Sequence, residues 1–479
     1  MKMIINNEFV DAAGGDTYDN INPYSGKLIE KIPMATREDY EIAQKNARAA
    51  QQGWGKTPLR ERLNILADGL SLIRKNYDDI INIICSESGK LISEAKKELN
   101  SFLFVYEECL SSTGHYGNAS LSIDASGYAS TMRVFYDREP LGIFLNFVPF
   151  SFPVAMIAYR TIPALVTGNT VILKPAYSTP CSALMITRFL IESGLPAGVL
   201  QCLTGENGDA IKWLRETKKI DAVCYFESHQ SSLRFMRENI SSYQRVMLTE
   251  AGNVPLVVFD NADVELAVGQ SVNERTYNAG QATFAAKRFI VNRKVKAEFV
   301  RLLIERLNRL KTGDPTDPRT TLGPLISSLR AERVSDQISH TVMQGAKCIR
   351  GGERRGCFIT PAVLTGVTEN MDVSRDLEIY GPVFSIIDFD ENEEAARIVN
   401  ASSRNGICHI FSRNIGAAMR FSTMIRAQKC IINGTGNLSD VRVPESSAEF
   451  LEMGLERFKL RFDEYTREKT ILVNTRVPI

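Results

Sequence analysis

Histidine is scarce in this chain, four among 479 residues, and neither the histidines nor the nine cysteines form a cluster at metal-ligand spacing. A metal-centred site is therefore not expected. The cysteines are odd in number and irregular in spacing, which argues against a disulfide framework and for a reducing compartment. Neither sign of charge is in excess: 57 Lys and Arg against 56 Asp and Glu leave a formal charge of +1, which gives a nucleic-acid partner no support. A membrane-spanning run is also missing. The most apolar stretch, residues 141–159, is broken by Asn146, Pro149, Ser151 and Pro153, and reads as a buried strand leading into a buried helix. The first residues lack the basic-then-apolar order of a signal peptide, so a soluble cytoplasmic protein is expected.

What is present is an ordinary globular composition, 44% apolar and 24% charged, long enough for two or three domains. Apolar residues recur at helical spacing over 38–53, 59–75 and 78–104, the last interrupted at Ser88-Gly89. Residues 119–138 change to alternation with Ser, Gly and Thr, which predicts an extended hairpin. From 140 to 225 strand and helix alternate: strands over 142–147, 170–173, 199–203 and 220–225, and between them a helix begun by Pro180 after a Ser178 or Thr179 cap and ended at Gly194. This order predicts a parallel sheet with its ligand crevice at the strands' carboxyl ends. After Glu250 the pattern renews itself with a strand over 256–259 and a helix over 263–277, which places a boundary near residue 250.

Between that helix and an apolar strand at 289–291 lies Asn278-Ala279-Gly280-Gln281-Ala282-Thr283, followed by small residues and Lys287-Arg288. Earlier come Glu87-Ser88-Gly89-Lys90 with Glu94-Ala95-Lys96-Lys97-Glu98, and Gly168-Asn169-Thr170-Val171-Ile172-Leu173-Lys174-Pro175. Later come Leu322-Gly323-Pro324 and Glu378-Ile379-Tyr380-Gly381-Pro382-Val383. In this order and at this spacing the segments resemble the aldehyde dehydrogenase superfamily over almost the whole chain. The resemblance implies an α/β fold, aldehyde dehydrogenase-like, with two Rossmann-like three-layer domains plus a β-arm for oligomerisation. On this reading residues 1–118 and 139–250 form the cofactor-binding domain and 251–440 the catalytic domain. Residues 119–138 and 441–479 form the arm and the C-terminal tail. The resemblance further implies NAD or NADP as cofactor, a small aldehyde or carbonyl ligand, and a homodimer or homotetramer in which the strand at 470–474 pairs with the arm of a neighbouring subunit.

Aldehyde oxidation of this kind needs a thiolate to add to the carbonyl, donors for the oxyanion, a nicotinamide to take hydride and a base to activate water. Thr283 stands where the family has its cysteine. An alcohol is almost wholly protonated at neutral pH, and the bland reading of Thr283 is a small residue at a turn. The family's Pro-Trp-Asn-Phe-Pro is Pro149-Phe150-Ser151-Phe152-Pro153, so Ser151 takes the oxyanion donor's place, where loss of a well-aimed donor costs about 3 kcal/mol. Glu250, ending a strand over 245–249, matches the general base, although a carboxylate there also suits a solvated strand end. Among cofactor contacts, Lys174 matches the lysine at the adenosine ribose, Glu378 the glutamate at the nicotinamide ribose, and Phe150 the aromatic beside the site. Tyr177 replaces a glutamate of many NAD-using members. Phe226-Glu227-Ser228-His229 replaces Phe-Thr-Gly-Ser, putting Glu227 with Ser228 where backbone amides receive the pyrophosphate, and an anion there repels phosphate. The C-terminal Gly-rich loop is replaced by Glu445-Ser446-Ser447-Ala448-Glu449. Three readings stay open: an oxidoreductase, or an enzyme moved to hydration or hydrolysis through Glu250; an inactive partner subunit or scaffold; and a sensor of a carbonyl metabolite.

Overall fold

The computed structural model describes residues 1–115, 119–121, 132–217, 219–227, 229–239, 244–250, 252–436 and 462–474. Two seven-stranded sheets organise them. The first runs, in spatial order, Arg245–Glu250, Ala222–Glu227, Ile143–Val148, Thr170–Pro175, Leu200–Cys202, Met3–Ile5 and Glu8–Val10. Its first five strands are parallel, and the last two pairings, of Met3–Ile5 with Leu200–Cys202 and with Glu8–Val10, are antiparallel. The second runs Lys347–Arg350, Ala362–Val367, Val383–Phe389, Arg288–Asn292, Pro255–Val258, Ile407–Phe411 and Lys429–Ile432, parallel throughout except at Lys347–Arg350.

Both sheets bury both faces, which is why their strands read as nearly unbroken apolar runs. In the first, Phe144, Val171 and Leu173 enter one core while Ile143, Leu145, Phe147 and Ile172 enter the other. In the second, Val257, Ile290 and Ile387 face one layer, and Leu256, Val258, Phe289 and Phe384 the opposite one. Helices cover all four faces, giving two three-layer units. Among the described residues no helix is long and apolar enough to cross a membrane.

Two expectations need correction. The C-terminal strand Thr466–Asn474 pairs antiparallel with Met132–Pro140 of its own chain, in register from Thr466 opposite Pro140 to Asn474 opposite Met132. Its start is fixed locally, because Asn169 Nδ2 donates to the Tyr465 carbonyl at 2.9 Å and the Tyr465 ring stacks on Phe144. The helix Pro180–Glu192 is also capped differently. Thr179 makes no side-chain cap bond; instead the carboxylate of Glu87 accepts from the backbone N–H of Cys181 at 2.8 Å and of Ser182 at 3.0 Å. Glu87 lies at the end of the helix Tyr77–Ser88, which Gly89 stops in the left-handed conformation (φ 73°).

Glu87 is 1% exposed, and burial pushes its carboxyl up to about 7, while the N–H bonds from Ser182 and Cys181 pull it down. A raised folded-state pKa contributes stability that is full below the ordinary carboxylate range and is lost as pH rises through about 7. Glu87→Gln, which keeps one acceptor for the helix, is expected to flatten this part of the stability profile. Urea unfolding of both proteins at intervals between about pH 4.5 and 7.5 checks it, with the wild-type minus variant difference changing by about 1–3 kcal/mol across the range.

Candidate functional site

The loop that follows Ile143–Val148 meets the segment that precedes Arg288–Asn292, and Arg330 lies over both Phe150 of that loop and Tyr380. Phe150 and Ser151 follow Ile143–Val148, while Lys174 lies at the end of Thr170–Pro175. Glu227 and Glu250 end adjacent strands and are register partners. From the second unit, residues 277–287 precede Arg288–Asn292, Glu378 and Tyr380 precede Val383–Phe389, and Arg404 precedes Ile407–Phe411.

Thr283 owes its placement to an unusual turn. Asn278, Ala279 and Gly280 are left-handed in succession, with φ of 49°, 52° and 78°, which is costly for the two residues that carry a Cβ. Gln281 cross-braces the turn: its Nε2 donates to the Asn278 carbonyl at 2.9 Å and its Oε1 accepts from the Ile326 N–H at 3.0 Å. Lys287 closes it, donating to the Gly252 carbonyl at 2.6 Å and the Thr283 carbonyl at 2.8 Å. Thr283 itself is half-buried.

Ser151 is 3% exposed and meets the same turn, its carbonyl accepting from Asn278 Nδ2 at 3.4 Å. Phe152 packs with Tyr277 and Phe284, at ring-centroid separations of 6.4 and 5.6 Å, so the contact is aromatic beside Thr283. The Arg330 guanidinium lies 5.6 Å from the Phe150 ring centroid and 5.9 Å from that of Tyr380, within reach of both π faces. Glu378 is held on both oxygens, by the Tyr380 hydroxyl at 2.5 Å and Arg404 Nη1 at 3.0 Å. Lys287 faces the Tyr380 ring at 5.1 Å; burial drives its ammonium down to about 7, with Glu378 pulling the other way. Thr283, Ser151, Phe150 and Glu378 are thus brought together.

Lys174 is held at the carboxyl end of a central strand of the first sheet. Its fully buried ammonium donates to the carbonyls of Pro175 at 2.8 Å and Gly205 at 2.6 Å, and to Asn207 Oδ1 at 3.0 Å. Tyr177 stacks on Tyr18 with 4.0 Å between centroids. Ser228 and residues 445–449 lie outside the described residues. Sequence reasoning missed Arg330, Arg404 and the buried charges Lys90, Glu94 and Glu98, and it saw Lys287 only as half of a basic pair. Lys90, Glu94 and Glu98 lay in a segment that carried the resemblance, but their spacing at intervals of four as readily describes a solvated helix face as a buried role.

The sequence profile described as the aldehyde dehydrogenase family matches residues 9–471. The chain belongs to the aldehyde dehydrogenase family. Among solved structures it is similar to an aldehyde dehydrogenase from Brucella melitensis biovar abortus 2308, at 30% identity and a TM-score of 0.93, covering 99% of this chain and 98% of the other. It is similar to a succinate-semialdehyde dehydrogenase from Burkholderia pseudomallei, at 28% identity and a TM-score of 0.93, with the same coverages. Betaine aldehyde dehydrogenase from Staphylococcus aureus in complex with NAD+ matches at 25% identity and a TM-score of 0.94, covering 100% of this chain and 95% of that one. The two three-layer units are therefore those of the aldehyde dehydrogenase fold.

The turn of this family member tolerates no side chain at Gly280, because a Cβ there would sit 2.3 Å from the Gly381 carbonyl oxygen and 2.9 Å from that of Arg275. Gly280→Ala is expected to destabilise by about 3 kcal/mol or more, since both steric overlap and backbone strain oppose it. Chemical denaturation measures this, and a loss below about 1 kcal/mol would contradict the close approach.

Proposed function

We propose that this aldehyde dehydrogenase-family protein binds a small aldehyde or related carbonyl compound at the Thr283 turn, does not oxidise it through a covalent thiol intermediate, and holds NAD or NADP weakly. The observation that carries the reading is that the loop bearing Ser151 meets the turn leading to Thr283, where Asn278 Nδ2 donates to the Ser151 carbonyl. A hydroxyl replaces the family's nucleophile and a shorter donor replaces its oxyanion residue, so both ends of the carbonyl-addition step have changed together. The nine cysteines are all free, and none falls in residues 277–287.

The residues present do not fit a tightly held dinucleotide. Lys174, expected at the adenosine ribose, gives its protons to three internal acceptors, and Glu378, expected at the nicotinamide ribose, already accepts from Tyr380 and Arg404. Glu227 puts a carboxylate residue where the pyrophosphate is expected. Retention of Lys174, Glu250 and Glu378 favours the competing reading, NAD(P)-dependent aldehyde oxidation of the kind named for the relatives. The domain boundaries given above, the roles of Glu250 and Ser228, and a cytoplasmic location belong to the same proposal. A homo-oligomer is supported by the arm, where Phe135, Ile471, Leu472 and Val473 stay exposed; in that setting the chain acts as a partner subunit, scaffold or pseudoenzyme.

Calorimetric titration with NAD and with NADP tests the cofactor half, and the expected dissociation constants are millimolar or weaker, corresponding to about 4 kcal/mol of binding free energy or less. Thr283→Cys tests the chemical half. With Ser151 unchanged, the variant is expected to gain no aldehyde oxidation, whereas robust turnover in it, or micromolar cofactor binding by the wild type, would restore the dehydrogenase reading.

A further inference from the structure

We infer that Glu94 is a positioning residue for the Thr283 turn, acting from the first unit onto the second with Lys90 and Glu98 as one buried brace. The inference rests on the reading that this turn is the functional site. Glu94 and Glu98 lie on the helix Ile92–Ser111, with Lys90 just before it, and the three are 7%, 2% and 1% exposed respectively. Glu94 Oε1 accepts from the Asn278 N–H at 2.9 Å, at the first left-handed residue of the turn, while its Oε2 accepts from the Leu91 N–H at 3.2 Å. Glu98 Oε1 accepts from Val154 N–H at 2.9 Å and Ala155 N–H at 3.1 Å, the backbone that follows Ser151. Lys90 joins Glu98 in a fully buried ion pair and lies 4.5 Å from the Phe152 ring centroid. The Asn278 Nδ2 bond to the Ser151 carbonyl completes the circuit.

One short segment thus grips both loops that meet at the site. The Glu94 bond is the link that crosses to Asn278. Without that acceptor the Asn278 N–H is buried against nothing, and the left-handed run loses a bond that holds it. The charged and titratable groups that face Glu94 are Lys90 and Lys97 from its own segment, Cys85 from the helix Tyr77–Ser88, and Tyr277 from the turn. Burial pushes the Glu94 carboxyl up to about 7, against the Asn278 bond and the Lys90 charge.

The test needs neither turnover nor cofactor, so its failure is separable from failure of the proposed function. Thr283→Cys supplies a reporter thiol, and its alkylation by iodoacetamide is followed at that peptide by mass spectrometry from about pH 6 to 9. Added to the reporter, Glu94→Ala is expected to change the labelling rate about tenfold or more, because small misplacements of a reacting group act strongly on rate. Glu94→Gln is expected to stay within about threefold of the parent and to remove an inflection near pH 7 from its profile. Unchanged rate and profile in Glu94→Ala would overturn the inference. If melting curves show that Glu94→Ala does not fold, the Glu94→Gln profile decides, and one that matches the parent at every pH overturns it.

Discussion

The Gly381 carbonyl leaves no room for a side chain at residue 280, and much of the site follows from that contact. A close pass of two backbones requires a residue without a Cβ, and here that residue also takes a positive φ, in a left-handed run that begins two residues earlier, at Asn278 and Ala279. The Arg275 guanidinium fastens the pass from beneath, donating to the carbonyls of Val383 at 2.8 Å, Ile379 at 2.5 Å and Gly280 at 3.5 Å. The same side chain therefore ties the Thr283 turn to the segment that carries Glu378 and Tyr380. Burial lowers this guanidinium to about 9, a measure of how far it sits from water.

Three cations, Arg275, Lys287 and Arg288, are buried close together under the turn, and each is bonded to backbone carbonyls. Arg288 donates to Asn253, Ser374, Ile398 and Val399, and to the Asn405 side chain. Carbonyl oxygens satisfy the donors, so these side chains cross-link the loops around the turn. Glu378 is a nearby counter-charge, and its bond to Arg404 holds it in place.

The fold was legible because parallel strands buried on both faces read as apolar runs between Gly, Pro and Asn punctuation, as at residues 142–147 and 170–173. The partner of the C-terminal strand was not. A strand's alternation specifies a face but not whose edge it joins, and Tyr465, which anchors that strand to its own chain, carries no signal of doing so. The Glu87 cap was hidden likewise, since its acceptor and its two donors are 94 and 95 residues apart. Within the candidate site, Thr283, Ser151, Phe150 and Glu378 stand in local motifs that the sequence displays. Lys90, Glu94 and Glu98 were not, because charge at helical spacing describes a wet face and a buried brace equally well. Lys287-Arg288 misleads for the same reason, as both read as surface and are 2% and 0% exposed.

Under the proposed function, loss of the thiol makes the site's rigidity more important. A covalent nucleophile captures a carbonyl even when the pocket is loose, because bond formation supplies the affinity. A hydroxyl pair such as Thr283 and Ser151 offers only hydrogen bonds, each of about 1 kcal/mol net, so a small ligand must draw most of its binding from apolar contact with rings such as Phe150, Phe152 and Phe284. Contacts of that kind fall away within a fraction of an ångström. Recognition without covalent capture therefore demands that the two loops keep their separation, and the elements that set it are the Gly280–Gly381 approach on one side and the Lys90, Glu94 and Glu98 brace on the other.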